Sequence, residues 1–369
     1  MVKSTEKDNT KTRIARLREK MKENGIDIIL LSSLSNSEPN LSYLLCGDIT
    51  PSFLIVPKKG NSTVLVSKMD YERAKTALKD VSVCVFEKPL NAQISRIIKK
   101  RKAAKLGINR DIISVNEFLA IRKKLMKHRF VDISRMLLEL RSIKSKNEIA
   151  LIRKACRISD QILALMFKKI KSLRTEEDVR QFLIDKTRKR RCTTSFEPLV
   201  ASGANSGLVH YMGKNVILKP GFCFIDFGVD YKGYKSDTTR VVYRGKPKQG
   251  ELAIYNMLFD IQKMAVDMVR PGVKCSEIDI AVRERLGPYN EYFNHSLGHG
   301  VGVQIHELPN LSSNSKDILK AGMVLTIEPG IYFSKRFKKR YGMRIEDTVL
   351  VTEKGHEVLT RARKDLLIV

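Results

Sequence analysis

Short apolar runs alternate with charged stretches of helical period over the first third of the chain. Ile14, Leu17 and Met21 recur at helical spacing among charges, which predicts an amphipathic surface helix over 10–24. Ile26-Asp27-Ile28-Ile29-Leu30-Leu31 reads as a buried strand, followed by a polar loop ending in Pro39-Asn40-Leu41-Ser42-Tyr43-Leu44. Phe53-Leu54-Ile55-Val56 and Thr63-Val64-Leu65-Val66 flank Pro57-Lys58-Lys59-Gly60-Asn61, the turn chemistry of a β-hairpin. A further strand is expected over 81–86, and helices near 90–103 and 115–127. Strands alternating with helices in this way predict an α/β domain.

At Ser145 the period lengthens. Ser145-x-x-Glu148 forms a capping box, and Ile149, Ile152, Cys156, Leu163, Met166 and Ile170 follow on one helical face. A second helix is expected to open at Thr175-x-x-Asp178. The domain boundary therefore falls near Arg141-Ser142-Ile143-Lys144, giving domains over 1–140 and 141–369 with no Gly/Ser/Pro linker between them. From about 195 the pattern turns to strands. Phe222 to Phe227 is an apolar strand that stops at Asp226, and the chain returns past Gly233 through Asp237 to Val242. In an antiparallel hairpin this sets Asp226 and Asp237 opposite or diagonal to one another, where like charges repel unless a cation lies between them. Met323 to Glu328 again ends a strand on an acid before Pro329-Gly330, and Met343 to Leu350 reads as a strand with Glu346 within it.

Composition narrows the class. With 43% hydrophobic and 30% charged residues the chain is an ordinary globular sequence. No apolar run approaches the length of about 20 residues that spans a membrane. The N-terminal stretch lacks the apolar core of a signal peptide, so a cytoplasmic protein is expected. Six cysteines are scattered without a Cys-x-x-Cys pair, which argues against a disulfide framework and a thiolate zinc site. The net charge of +29 includes clusters at 99–102, 188–191 and 335–340. No zinc finger, RNA-binding signature or phosphate loop accompanies them, so only weak, nonspecific contact with nucleic acid is expected.

The stretch His295-Ser296-Leu297-Gly298-His299-Gly300-Val301-Gly302-Val303-Gln304-Ile305-His306 holds three of the six histidines. Glycine at alternate positions disfavours a helix, so it reads as a turn running into a strand. Acids are depleted in strands and are rarely buried without partners. Two acid-bearing strand pairs and a histidine cluster therefore suggest a shared ligand. Asp226, Asp237, His299, Glu328 and Glu346 form an oxygen-rich set with one imidazole, suited to manganese, cobalt, iron or a catalytic zinc pair. Four carboxylates can neutralise two divalent ions, and such a centre carries out metal-assisted hydrolysis. His306-Glu307-Leu308-Pro309-Asn310 begins like a metalloprotease helix, but Asn310 stands at the second histidine's place and Pro309 would break the helix.

Taken jointly, Ser202-Gly203-Ala204-Asn205 before His210, Asp226-Phe227-Gly228, Ser236-Asp237-Thr238-Thr239-Arg240, His295-x3-His299-Gly300-Val301-Gly302, His306-Glu307, Glu328-Pro329-Gly330 and Arg344-Ile345-Glu346-Asp347 carry a resemblance. They resemble the pita-bread metallopeptidases, in the proline-peptidase branch of Xaa-Pro dipeptidase and aminopeptidase P. The resemblance extends to Pro39–Leu44 and to Leu140–Ser145, so it covers nearly the whole chain. It implies a creatinase-like α/β N-terminal domain, an α+β pita-bread catalytic domain, and a homodimer. The implied substrate is a peptide with proline at the second position.

The resemblance also implies roles. Asp226 would hold one ion, His299 and Glu328 the other, and Asp237 and Glu346 would bridge both, with manganese the first expectation and cobalt or zinc the alternatives. Glu328 would take the proton from the attacking water. His210 and His306 would flank the scissile bond, His295 would contact the substrate near its proline, and Arg344 would orient a bridging carboxylate. Two features depart from the family pattern: Leu208-Val209 precedes His210 where proline is common, and a basic loop over 334–341 replaces a short glycine-rich connection. The competing readings are a methionine aminopeptidase, against which the N-terminal domain and His295 stand, and a catalytically inactive relative that binds peptide or nucleic acid.

Overall fold

A computed structural model describes residues 9–46, 52–99, 103–209, 211, 213, 215–333 and 340–369. The chain divides into two compact units, Met1–Arg141 and Ser142–Val369. In the first unit a six-stranded mixed sheet is built around the fully buried strand Ile28–Ser32. That strand pairs antiparallel with Phe53–Pro57 and parallel with Lys105–Ile108. Ile28, Leu30, Phe53, Ile55, Leu65, Leu106 and Ile108 from one face of this sheet pack with Ile94, Ile98 and Ile121 from the helices Leu90–Lys99 and Val115–Lys124. Thr10–Glu23 is the expected amphipathic helix, burying Ile14, Leu17 and Met21. The hairpin forms as its turn chemistry requires, with Gly60 at φ +84°.

One element differs from expectation. Pro39–Leu45 is a helix rather than the end of a loop. Glu38 caps it, its side chain accepting from the Asn40 N–H at 3.0 Å, and Pro39 supplies the pre-set φ of a first helical residue. At seven residues it is too short for periodicity to reveal.

The second unit opens on Lys146–Lys169, whose capping box at Ser145 and Glu148 is in place. Thr175 and Asp178 likewise cap the next helix, Glu176–Arg188. Two sheets follow. One runs in the order Leu367–Ile368, Thr238–Arg244, Gly221–Phe227, Leu199–Ser202, and the other in the order Glu307–Leu311, Gly298–Gly300, Val324–Ile327, Asp347–Val351, His356–Val358. Phe222, Phe224 and Tyr243 of the first and Leu325, Ile327 and Val349 of the second share one apolar core with the helices Gln249–Asp267 and Cys275–Leu286. The alternate glycines of the histidine stretch are explained by close approach. A Cβ at Gly298 would lie 2.1 Å from the Thr326 carbonyl oxygen, and one at Gly300 would lie 2.1 Å from that of Leu308.

Candidate metal centre

Asp226 stands next to last in Gly221–Phe227, opposite Thr239 of the returning strand. Asp237 lies two residues before Thr239, so the two acids are diagonal neighbours, as the hairpin pattern predicts. The other sheet supplies the remaining groups. His299 is the middle residue of Gly298–Gly300, and Glu328 immediately follows Val324–Ile327. Glu346 corrects the sequence reading, because it is not inside a strand. Tyr341–Arg344 pairs with Gly330–Phe333, whereas Asp347–Val351 pairs with Val324–Ile327. Ile345 and Glu346 form the break at which the chain changes partners. Two short strands that switch partners present the same apolar alternation as one long strand, which is why the pattern hid the break.

These five residues converge. Ligand atoms of Asp237, His299 and Glu346 all lie within 4.8 Å of one another. His299 Nε2 is 3.2 Å from Glu328 Oε1 and 3.7 Å from Asp237 Oδ2. Arg344 Nη2 donates to Asp226 Oδ2, and its Nε lies 4.0 Å from Glu328 Oε2. Threonines that sequence reasoning passed over complete the setting. Thr239 Oγ1 donates to Glu346 Oε2 at 2.6 Å and accepts from Arg344 Nε at 3.0 Å. Thr326 Oγ1 donates to Glu328 Oε1 at 3.0 Å and accepts from the His299 N–H at 3.0 Å. Thr326 is two residues before Glu328, hence on the same face of its strand, and that spacing is the signal that could have found it.

His295 reaches the cluster through Tyr332, also unanticipated. Its Nδ1 faces the Ser296 carbonyl at 2.8 Å, which assigns the proton to Nδ1 and leaves Nε2 to accept from the Tyr332 hydroxyl at 3.1 Å. That hydroxyl in turn accepts from Arg344 Nη1 at 2.9 Å. The His306 ring centroid stands 4.3 Å from that of His299. His210 lies outside the described residues.

The electrostatics fit a cationic occupant. Asp226, Asp237 and Glu346 are buried, and burial, followed by the neighbouring acids for Asp237 and Glu346, raises their pKa above the ordinary carboxylate range. For Asp226, Arg344 opposes that rise without cancelling it. Asp226 Oδ1 and Asp237 Oδ1 are buried with no hydrogen-bond donor among the described residues. His299 Nδ1 faces the Gly300 carbonyl at 3.2 Å, so a neutral ring points the Nε2 lone pair at the Glu328 and Asp237 oxygens. Acceptor facing acceptor is repulsive unless a cation stands between them. Burial lowers the His299 pKa, but the contact with Glu328, the Gly300 carbonyl and the Asp226 charge together outweigh it and the net shift is upward. A divalent ion removes the same conflict without protonating the ring, and oxygen ligands with one imidazole and no thiolate suit such an ion.

The chain is similar to known proteins over nearly its whole length. Residues 13–143 match the creatinase/prolidase N-terminal domain. An Xaa-Pro dipeptidase of Pyrococcus furiosus is 34% identical over 363 residues, spanning 97% of this chain and 100% of that protein. Among solved structures, an Xaa-Pro dipeptidase from Bacillus anthracis superposes with a TM-score of 0.90 at 31% identity, covering 98% of this chain and 100% of that one. An X-Pro aminopeptidase from Thermotoga maritima gives 0.85 at 26% identity, covering 95% and 100%. The carboxylate and histidine cluster falls inside residues 150–353, the stretch that matches metallopeptidase family M24, and with near end-to-end relatives at this identity the chain belongs to that family.

Proposed function

We propose that this protein is an exopeptidase that hydrolyses the bond between an N-terminal residue and proline, acting on Xaa-Pro dipeptides. The observation that carries this reading is the near full-length relation to the Pyrococcus furiosus Xaa-Pro dipeptidase, joined to an oxygen-rich cluster that calls for divalent metal. Asp226, Asp237, His299, Glu328 and Glu346 would hold two ions, manganese first with cobalt or zinc as alternatives. Asp237 and Glu346 would be shared between them. Such a pair lowers the pKa of a water and polarises the scissile carbonyl.

The remaining work belongs to side chains. Glu328, fixed by Thr326, takes the proton released as water attacks. His306, and His210 with it, donate to the oxygen that becomes negative in the tetrahedral intermediate. His295, held by Tyr332 in the tautomer that carries its proton on Nδ1, stands toward the proline ring. Arg344 orients Asp226 and is itself fixed by Thr239 and Tyr332. The protein works as a cytoplasmic homodimer; among the described residues no helix is long and apolar enough to cross a membrane. The creatinase/prolidase match over 13–143 weighs against a methionine aminopeptidase.

Initial rates on Met-Pro, Met-Pro-Gly and Met-Ala-Ser with manganese test this reading. Met-Pro is expected to be the best substrate, and His295→Ala is expected to lose the preference for proline. Preference for Met-Pro-Gly assigns an aminopeptidase P, and preference for Met-Ala-Ser overturns the proline assignment.

A further inference from the structure

Glu307, set aside above as part of an incomplete metalloprotease motif, makes a contact that the proposed chemistry does not use. Its Oε2 lies 3.2 Å from Lys144 Nζ, and each side chain is only 1% exposed. Its Oε1 accepts from the Gln304 N–H at 3.0 Å, while the Gly302 N–H donates to the Gln304 carbonyl at 3.1 Å. The loop bearing His306 is therefore folded around one buried carboxylate, and that carboxylate is tethered to a cation from another part of the unit. The tether is anchored, since the Lys144 N–H donates to the Gly322 carbonyl at 2.9 Å, at the turn leading into Val324–Ile327, the strand that Glu328 follows. Gly302 reports the same constraint independently. A Cβ there would lie 2.5 Å from Glu307 Oε2 and 3.0 Å from Lys144 Cε, so the third alternate glycine makes room for the ion pair.

We infer that Lys144 and Glu307 are a positioning pair for His306: the buried ion pair ties the 302–307 loop to the 322 turn and so sets where the imidazole stands beside His299. His306 is the exposed residue next to Glu307, its ring centroid 4.3 Å from that of His299. A buried pair gives little net stability compared with apolar residues of similar size, whereas removing one partner leaves an uncompensated charge. Function in placing His306 gives this pair a role that stability alone does not.

The inference rests on the proposed role of His306, and the test separates the two. The full chain loaded with manganese is compared as wild type, Lys144→Met/Glu307→Gln, Gly302→Ala and His306→Ala. The double variant buries no unpaired charge and keeps an oxygen for the Gln304 N–H. Readouts are Tm, manganese affinity by calorimetry on the metal-free chain, and kcat and KM on Met-Pro. In the double variant and in Gly302→Ala, kcat is expected to fall about tenfold to a hundredfold with KM nearly unchanged, the mark of an interaction made in the transition state. Manganese affinity is expected to stay within about threefold of wild type, because none of the five ligands is touched. Wild-type kcat in either folded variant, while His306→Ala loses it, overturns the inference. A joint fall of kcat and manganese affinity also overturns it, since the pair then supports the ligands. Should the double variant not fold, Gly302→Ala decides by the same criteria. Wild-type kcat in His306→Ala instead rejects the role of the histidine, and the positioning role with it.

Discussion

His299 and the acids around it show how far a single side chain can be read. With its Nδ1 proton directed to the Gly300 carbonyl, its Nε2 faces the carboxylate oxygens of Glu328 and Asp237, and Asp226, Asp237 and Glu346 are held above their ordinary pKa by burial. A carboxyl whose pKa is raised by folding favours the folded state most below its unfolded value and loses that contribution as pH rises through the folded value. The metal-free chain is therefore expected to lose Tm between about pH 5 and pH 8, where the unfolded acids are already ionised. Manganese should restore it, and the gain in Tm should be larger at pH 8 than at pH 5. At a hundredfold excess over Kd the linkage is worth about 2.7 kcal/mol. Glu346→Gln and Asp237→Asn each remove a proposed shared ligand, so calorimetry should find one ion fewer per chain and hydrolysis should fall by about a thousandfold or more. Full activity in the presence of excess chelator would reject the metal requirement.

At the scale of elements, the site depends on strands that approach more closely than side chains allow. Gly300 lies where Gly298–Gly300 meets both Glu307–Leu311 and Val324–Ile327. Gly300→Ala would drive a methyl group to 2.1 Å from the Leu308 carbonyl oxygen, and backbone cannot yield as a flexible side chain can. The expected cost is about 2–3 kcal/mol in urea unfolding, with weaker manganese binding because His299 moves with the strand. Such approach is also the reason the histidine stretch needed glycine, a feature visible in the sequence without its cause. Pro39–Leu45 and the break at Ile345–Glu346 lay beyond the pattern for a different reason. A seven-residue helix carries too few turns for periodicity, and two strands exchanging partners keep the alternation of one.

For the whole molecule the outstanding quantity is charge. A net charge of +29 predicts that binding to a DNA duplex is weak and falls steeply with salt. Fluorescence anisotropy is expected to show it vanish by physiological ionic strength. The basic cluster at 335–340 named in the sequence lies largely outside the described residues, Arg340 excepted. A preference for particular sequences that survives at that salt would favour a nucleic-acid role. Sedimentation at micromolar concentration is expected to show a dimer, and a monomer would reject the oligomeric part of the proposal.

The order of residues along the chain determined most of the kinds of element, the acids at strand ends and the chemistry of the candidate ligands, because alternation, capping boxes and residue type are local properties. The diagonal placement of Asp226 and Asp237 was legible too, since a hairpin fixes the register of two nearby segments. Tertiary structure alone decided which sheet delivers which candidate ligand, that Thr239, Thr326 and Tyr332 contact the cluster or the groups that orient it, and that Lys144 pairs with Glu307 across 163 positions of sequence. Threonine, tyrosine and lysine occur throughout the chain for ordinary reasons. Only the folding of distant strands onto one another gives these few a partner, and that partnership has no period or spacing in the sequence to announce it.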